Sequence, residues 1–199
     1  MSIHCIVMSD TTARRIAEAA LAILEAEGPD AVSMRRVADA VGITPMAIYH
    51  HFPNRDALLN SITDSEFARY RDDAQVRAIE GTAEERIVHG MDSYMDYAFG
   101  HPRVFDYVFA APRPGARRFP EDFRARKSPT LTPSADALKD AMKRGELRKD
   151  DEWEIAFELW ALTHGYVALY RGGRINLTEK QFRNLVRRAL RRLVHGLKA

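Results

Sequence analysis

Apolar residues recur at helical spacing along nearly the whole chain, and the gaps between them carry helix caps and stops in place of hairpin turns. No useful apolar/polar alternation and no Asn-Gly or Asp-Gly pair is found, so the pattern predicts an all-α fold. A first helix from Thr11 or Thr12 places Ile16, Ala20, Ile23 and Leu24 on one face and stops at Gly28-Pro29. A short one follows Ser33. The next opens at Thr44-Pro45, where Thr can cap and Pro suits the first turn, and Phe52-Pro53 ends it. Asn54 caps a helix carrying Leu58, Leu59, Ile62 and Phe67, whose polarity rises from Arg71 to Gln75; it is expected to link a head to a body.

Further along, Thr82 and Glu85 form a capping box ahead of Ile87, Met91, Tyr94, Met95 and Ala98, a buried face running to Gly100. Pro102 opens a short aromatic helix with Phe105, Tyr107, Val108 and Phe109. The Pro- and Arg-rich stretch 112–133 predicts a long, mobile connection. Thr132-Pro133 begins a helix to Gly145, and Asp150 or Asp151 caps a long one ending at Gly172-Gly173. Thr178 and Gln181 make another capping box, after which Phe182, Val186, Leu190, Leu193 and Leu197 line one face of the terminal helix.

Composition narrows the class. Cys5 is the single cysteine, so neither an intramolecular disulfide nor a cysteine zinc site can form. No Lys or Arg precedes Arg14, and the most apolar stretch, Ile155 to Tyr170, contains Glu158 and His164. Neither a signal peptide nor a membrane span is expected, and the reading is cytoplasmic. Residues 1–10 are read as a disordered arm, 11–56 as a head and 57–199 as a body. No nucleophile elbow, phosphate loop or metal-binding His-Glu-x-x-His occurs, so no enzyme activity, cofactor or metal is expected.

Ala38 and Gly42 stand four apart, with Val37, Val41, Ile43 and Ile48 around them. A helix-turn-helix needs this: a small residue where the second helix crosses, and a glycine able to take positive φ at the turn. Spacing alone fits a turn within an ordinary helical bundle equally well.

The longer stretch from Arg14 to Leu59 separates the two, and it is densest from Thr44 through Ile48-Tyr49-His50-His51-Phe52 to Arg55 and Leu59. It resembles the DNA-binding head of the TetR family of transcription regulators, with Ile48 in place of that family's Leu and Arg55 in place of its Lys. The resemblance implies that Thr44, Pro45, Met46, Ala47 and His50 read base edges in the major groove. Tyr49, Arg55 and the backbone donors after Ser33 would hold phosphates, while Arg35 would reach a base. Residues 1–60 carry five basic against seven acidic side chains, yet 40–55 contain no acid, so the expected contact surface is free of repulsion.

The body resembles the family's ligand-binding region more weakly, through Leu159-Trp160 and Thr163-His164-Gly165. It implies a pocket for a small apolar or aromatic effector, with Met91, Tyr94, Met95, Phe99, Phe105, Phe109, Trp160, His164 and Tyr166 as candidate lining. From Arg171 to Ala199 there are nine basic residues and one acid, Glu179. Two readings stand for this terminal helix: a surface for membrane or nucleic acid, or a two-fold four-helix interface through Phe182, Val186, Leu190, Leu193 and Leu197 with arginines at its rim. Family resemblance favours a homodimer on a palindromic operator. A helical small-molecule-binding or hydrolytic protein with a vestigial head is the alternative.

Overall fold

The computed structural model describes residues 11–76 and 80–198, with side chains outside 73–79. The expected disordered arm, residues 1–10, lies outside the described residues. The described residues form ten helices and no strand: α1 Thr11–Glu27, α2 Met34–Val41, α3 Pro45–Tyr49, α4 Arg55–Val76, α5 Ala83–Gly100, α6 Pro102–Phe105, α7 Glu121–Arg124, α8 Leu131–Lys143, α9 Glu152–Arg171 and α10 Glu179–His195.

Caps act where sequence places them. Ala57 N donates to Asn54 Oδ1 at 2.8 Å, and Trp153 N and Glu154 N both donate to Asp151 Oδ1. Thr178 and Gln181 satisfy each other's backbone donors, as do Thr82 and Glu85. Each such cap is worth about 0.5–2 kcal/mol.

The chain divides into two compact units, the first ending at Glu66 and taking in His101–Ala116. Its core joins Ile16, Ala20 and Leu24 of α1, Val37 and Ala38 of α2, Ile48 of α3, Leu58 and Leu59 of α4, and Val104 and Phe105 of α6, all buried. Glu25 fastens α6 to α1: His101 Nδ1 lies 2.6 Å from its carboxylate, and Arg103 Nη1 donates to its carbonyl at 3.1 Å.

The second unit comprises Phe67–Gly100 and Arg117–Ala199. Met95, Leu138, Leu159, Val167, Phe182, Val186 and Leu190 form its centre, with the Phe182 ring stacked on Tyr170 at 4.2 Å. The segment expected to be only a mobile connection contains α7, and Phe119 stacks on Phe157 of α9 at 4.3 Å, with Phe123 edge-on to the same ring. Aromatic anchors, which a count of Pro and Arg does not register, attach it to the body.

The basic excess of α10 also finds its counterpart within the chain. Arg183 meets Asp96 at 2.7 Å, Arg187 meets Asp92 at 2.9 Å and Arg191 meets Glu84 at 3.6 Å, a basic row on α10 facing an acidic row on α5. Such partly exposed pairs contribute little individually, about 0–1 kcal/mol, but they fix the register of the two helices.

Candidate nucleic-acid interface and cavity

Ser33 starts α2 by accepting a hydrogen bond from Arg36 N, and Gly42 ends it in the left-handed region at φ 75°. A non-glycine residue in that conformation costs roughly 1–2 kcal/mol. Ile43 N then donates back to Ala38 O at 3.0 Å, which closes the turn tightly over the fully buried Ala38. Thr44 Oγ1 caps α3 through Ala47 N at 3.2 Å. Of this five-residue helix, Ile48 is fully buried and acts as the peg, so its neighbours point away from the core: Met46 is 71% exposed and Tyr49 49%. Thr44, Pro45, His50 and Arg35 are exposed as well, while Ala47 is half-buried.

Two arginines hold this unit together in a way sequence did not disclose. Arg36 pairs through both terminal nitrogens with the Glu27 carboxylate. That hydrogen bond holds Glu27 below the usual carboxylate range and raises Arg36. Arg55 is half-buried, its Nε donating to Val32 O at 2.8 Å and its Nη2 to Pro29 O at 2.5 Å.

In the second unit, α4, α5, α8 and α9 surround a cavity of about 260 Å³. Of the nine expected lining residues, Met91, Tyr94 and Trp160 reach it. His164 stands behind, its Nδ1 2.8 Å from the Tyr94 hydroxyl. Met95 is fully buried in the core, Phe99 packs edge-on against both Tyr170 and Phe182, and Tyr166 is half-buried on α9 away from the cavity wall. Phe105 and Phe109 belong to the first unit, where their rings lie 5.2 Å apart. Periodicity finds apolar faces but cannot say which unit a face joins. Missed altogether were Tyr70, His89, Gly90 and the stretch from Pro129 to Leu138. Burial pushes the Tyr70 and Tyr94 hydroxyls up, so both stay neutral phenols; the nearby Asp96 adds to the rise at Tyr70, and a hydrogen bond from Trp160 opposes it at Tyr94.

The terminal-helix seam expected to meet a second copy turns inward. Phe182, Val186 and Leu190 are fully buried in the single chain and Leu197 nearly so, because α5 and α9 supply their partners. Leu193 alone stays half-exposed, in line with Leu185 and Ala189.

A helix-turn-helix with its second helix turned outward, joined to a helical body that holds an apolar cavity, defines a ligand-responsive DNA-binding transcriptional regulator. The sequence pattern of "Bacterial regulatory proteins, tetR family" matches residues 16–62, and that of "Tetracyclin repressor-like, C-terminal domain" matches residues 87–193. The chain belongs to the TetR family. It is 28% identical over 166 residues to the transcriptional regulator UidR of Escherichia coli K12, covering 79% of this chain and 80% of that protein. It is also 28% identical over 102 residues to the class A tetracycline repressor of transposon 1721 from Escherichia coli, covering 51% of this chain but only 42% of that repressor. The chain thus spans less than half of the latter relative. The fold is shared with FadR of Bacillus subtilis, solved with stearoyl-CoA, at a TM-score of 0.72 and 15% identity over 92% of this chain and 98% of that one.

Proposed function

We propose that the chain is a homodimeric repressor of the cytoplasm, without enzymatic activity, that binds a palindromic operator and is released by a small apolar or aromatic effector. The observation that carries the DNA role is the outward α3, pegged by Ile48 and presenting Met46 and Tyr49 to solvent. Thr44, Pro45, Met46, Ala47 and His50 read bases, joined by Arg35. Tyr49 and the backbone donors after Ser33 hold phosphates, as does the Nη1 edge of Arg55. Residues 11–56 serve DNA; residues 57–199 serve the effector and the dimer, apart from 57–66 and 101–116, which pack in the first unit.

The effector site is the cavity against Met91, Tyr94 and Trp160, with His164 fixing the Tyr94 hydroxyl. The dimer surface combines Leu193, with Leu185 and Ala189, and the outer side of α9, where Leu169 is 50% exposed. An effector acts only through unequal affinity for the DNA-competent and incompetent states; a coupling of about 1–3 kcal/mol changes operator affinity roughly 5- to 150-fold. Footprinting on the DNA upstream of the gene, repeated across salt concentrations, tests the reading. A protected two-fold site whose affinity falls steeply with salt supports it, and the absence of any protected site sinks it.

A further inference from the structure

The cavity specifies the chemistry of what enters it. An engineered apolar cavity of roughly 150 Å³ holds benzene, so by simple scaling one of this size takes roughly ten non-hydrogen atoms. The volume of about 260 Å³ lies below the range usual for drug-sized ligands, about 300–1,000 Å³. Most of the wall is hydrocarbon, from Ile87, Met91, Leu131, Leu138, Leu159 and the Trp160 ring.

The charges on the wall are already engaged. Arg71 donates twice to Asp72 Oδ1, at 3.1 and 2.9 Å, and Arg86 donates to Gly81 O and lies 3.4 Å from Glu146 Oε2. An anion at either arginine would have to share the guanidinium with an acceptor it already holds, which weakens the pairing that would offset its burial. Among the described lining residues none is Asp or Glu, so a cationic ligand finds no counter-charge either.

One polar group stands apart. His89 lines the cavity, and its Nε2 is sealed from solvent without a hydrogen-bond partner. A buried nitrogen left so is unfavourable, and a ligand group able to bond it recovers that loss. A hydroxyl both donates and accepts, so it suits either imidazole tautomer.

We infer that the ligand of this cavity is a compact neutral molecule of roughly ten non-hydrogen atoms, mostly hydrocarbon, whose single hydroxyl bonds His89 Nε2. The inference rests on the effector reading above and narrows it. It sets this chain apart from its structural neighbour FadR, whose stearoyl-CoA is long and polyanionic.

Gly90 supplies the control. It lies on the cavity wall within α5, and a Cβ there would meet nothing within 4 Å, so a larger side chain fills the cavity without a clash at its root. The experiment is calorimetric titration of the full chain with para-propylphenol, propylbenzene, para-propylbenzoate and stearoyl-CoA. The phenol should bind, propylbenzene several-fold to roughly tenfold more weakly, and the two anions not measurably. His89→Leu should erase the preference for phenol over propylbenzene; Gly90→Leu should abolish binding of both while the unfolding midpoint holds or rises. No binding of the phenol, tighter binding of either anion, a phenol preference that survives His89→Leu, or binding unchanged in Gly90→Leu overturns the inference. Operator affinity is measured in parallel. Phenol that binds through His89 yet leaves operator affinity unchanged upholds the ligand class and removes the effector role; operator release by an anion to which the phenol is indifferent does the reverse.

Discussion

The Nε of Arg55 donates to the carbonyl oxygen of Val32 at 2.8 Å, so the first residue of α4 is clamped to the segment that leads into α2. With Nη2 also on Pro29 O, the guanidinium is fixed in place, and the phosphate contact proposed for it needs no further ordering of the side chain. A lysine has no fork to span two carbonyls. Arg55→Lys should cost about 1–2 kcal/mol of stability and weaken binding to all sequences alike. Urea denaturation and operator titration across salt check both parts; a loss confined to particular base pairs would contradict the phosphate role.

Met46 and Arg35 should behave in the opposite manner. Both are exposed, so truncation to Ala should change stability by no more than about 0.5 kcal/mol. Each should relax preference at one or two operator positions by about 1–3 kcal/mol, with the salt slope nearly kept for Met46→Ala. Selection of bound sequences from a randomised pool gives the comparison, and identical preferences for wild type and variants would refute a base-reading role.

The two apolar stripes of the body make separable predictions. Leu190 is fully buried within the chain, and Leu190→Ala should cost about 2–5 kcal/mol of folding stability. Leu169 is half-exposed, so Leu169→Glu should leave the fold stable by itself yet shift the sedimentation profile from dimer to monomer. If Leu169→Glu sediments as wild type does, the dimer uses another surface.

Asp151 caps α9 and bonds Arg124 Nη2 at 2.7 Å, and that pairing holds its carboxyl below the ordinary value. A carboxylate with a lowered folded pKa contributes stability above its unfolded value of about 3.9, and the contribution is lost as pH falls through the folded value. Asp151→Asn should therefore be destabilised at pH 7, by up to about 1 kcal/mol for this partly exposed pair. The difference should shrink as pH drops below about 4. Denaturation curves at both pH values test the sign, and a difference that widens in acid would exclude this linkage.

The caps at Thr44, Asn54, Asp151 and Thr178 were legible because a cap joins residues two or three apart, and the turn at Gly42 because only a few residues determine its φ. The succession of helices in residues 11–56 could be read for the same reason, whereas the return of His101–Ala116 to that unit could not. Other parts depended on partners far along the chain. Phe105 and Met91 both look like pocket residues by type, yet the chain sends the first into one unit and the second into the other. Phe182, Val186 and Leu190 lie on one apolar stripe that α5 and α9 bury within the chain, and a stripe by itself carries no mark of whether the same chain or a second copy covers it. His89 and Gly90 carried no signal, because a cavity consists of what neighbouring elements fail to fill.

The return of His101–Ala116 to the first unit bears on how such regulators can be recombined. Cutting after Glu66 and grafting the front piece onto a foreign body would strip away Val104 and Phe105, and with them the cover for α1. A workable exchange of operator specificity therefore has to move two separate stretches of gene, or else transplant only the few outward side chains of α2 and α3 and leave the scaffold native.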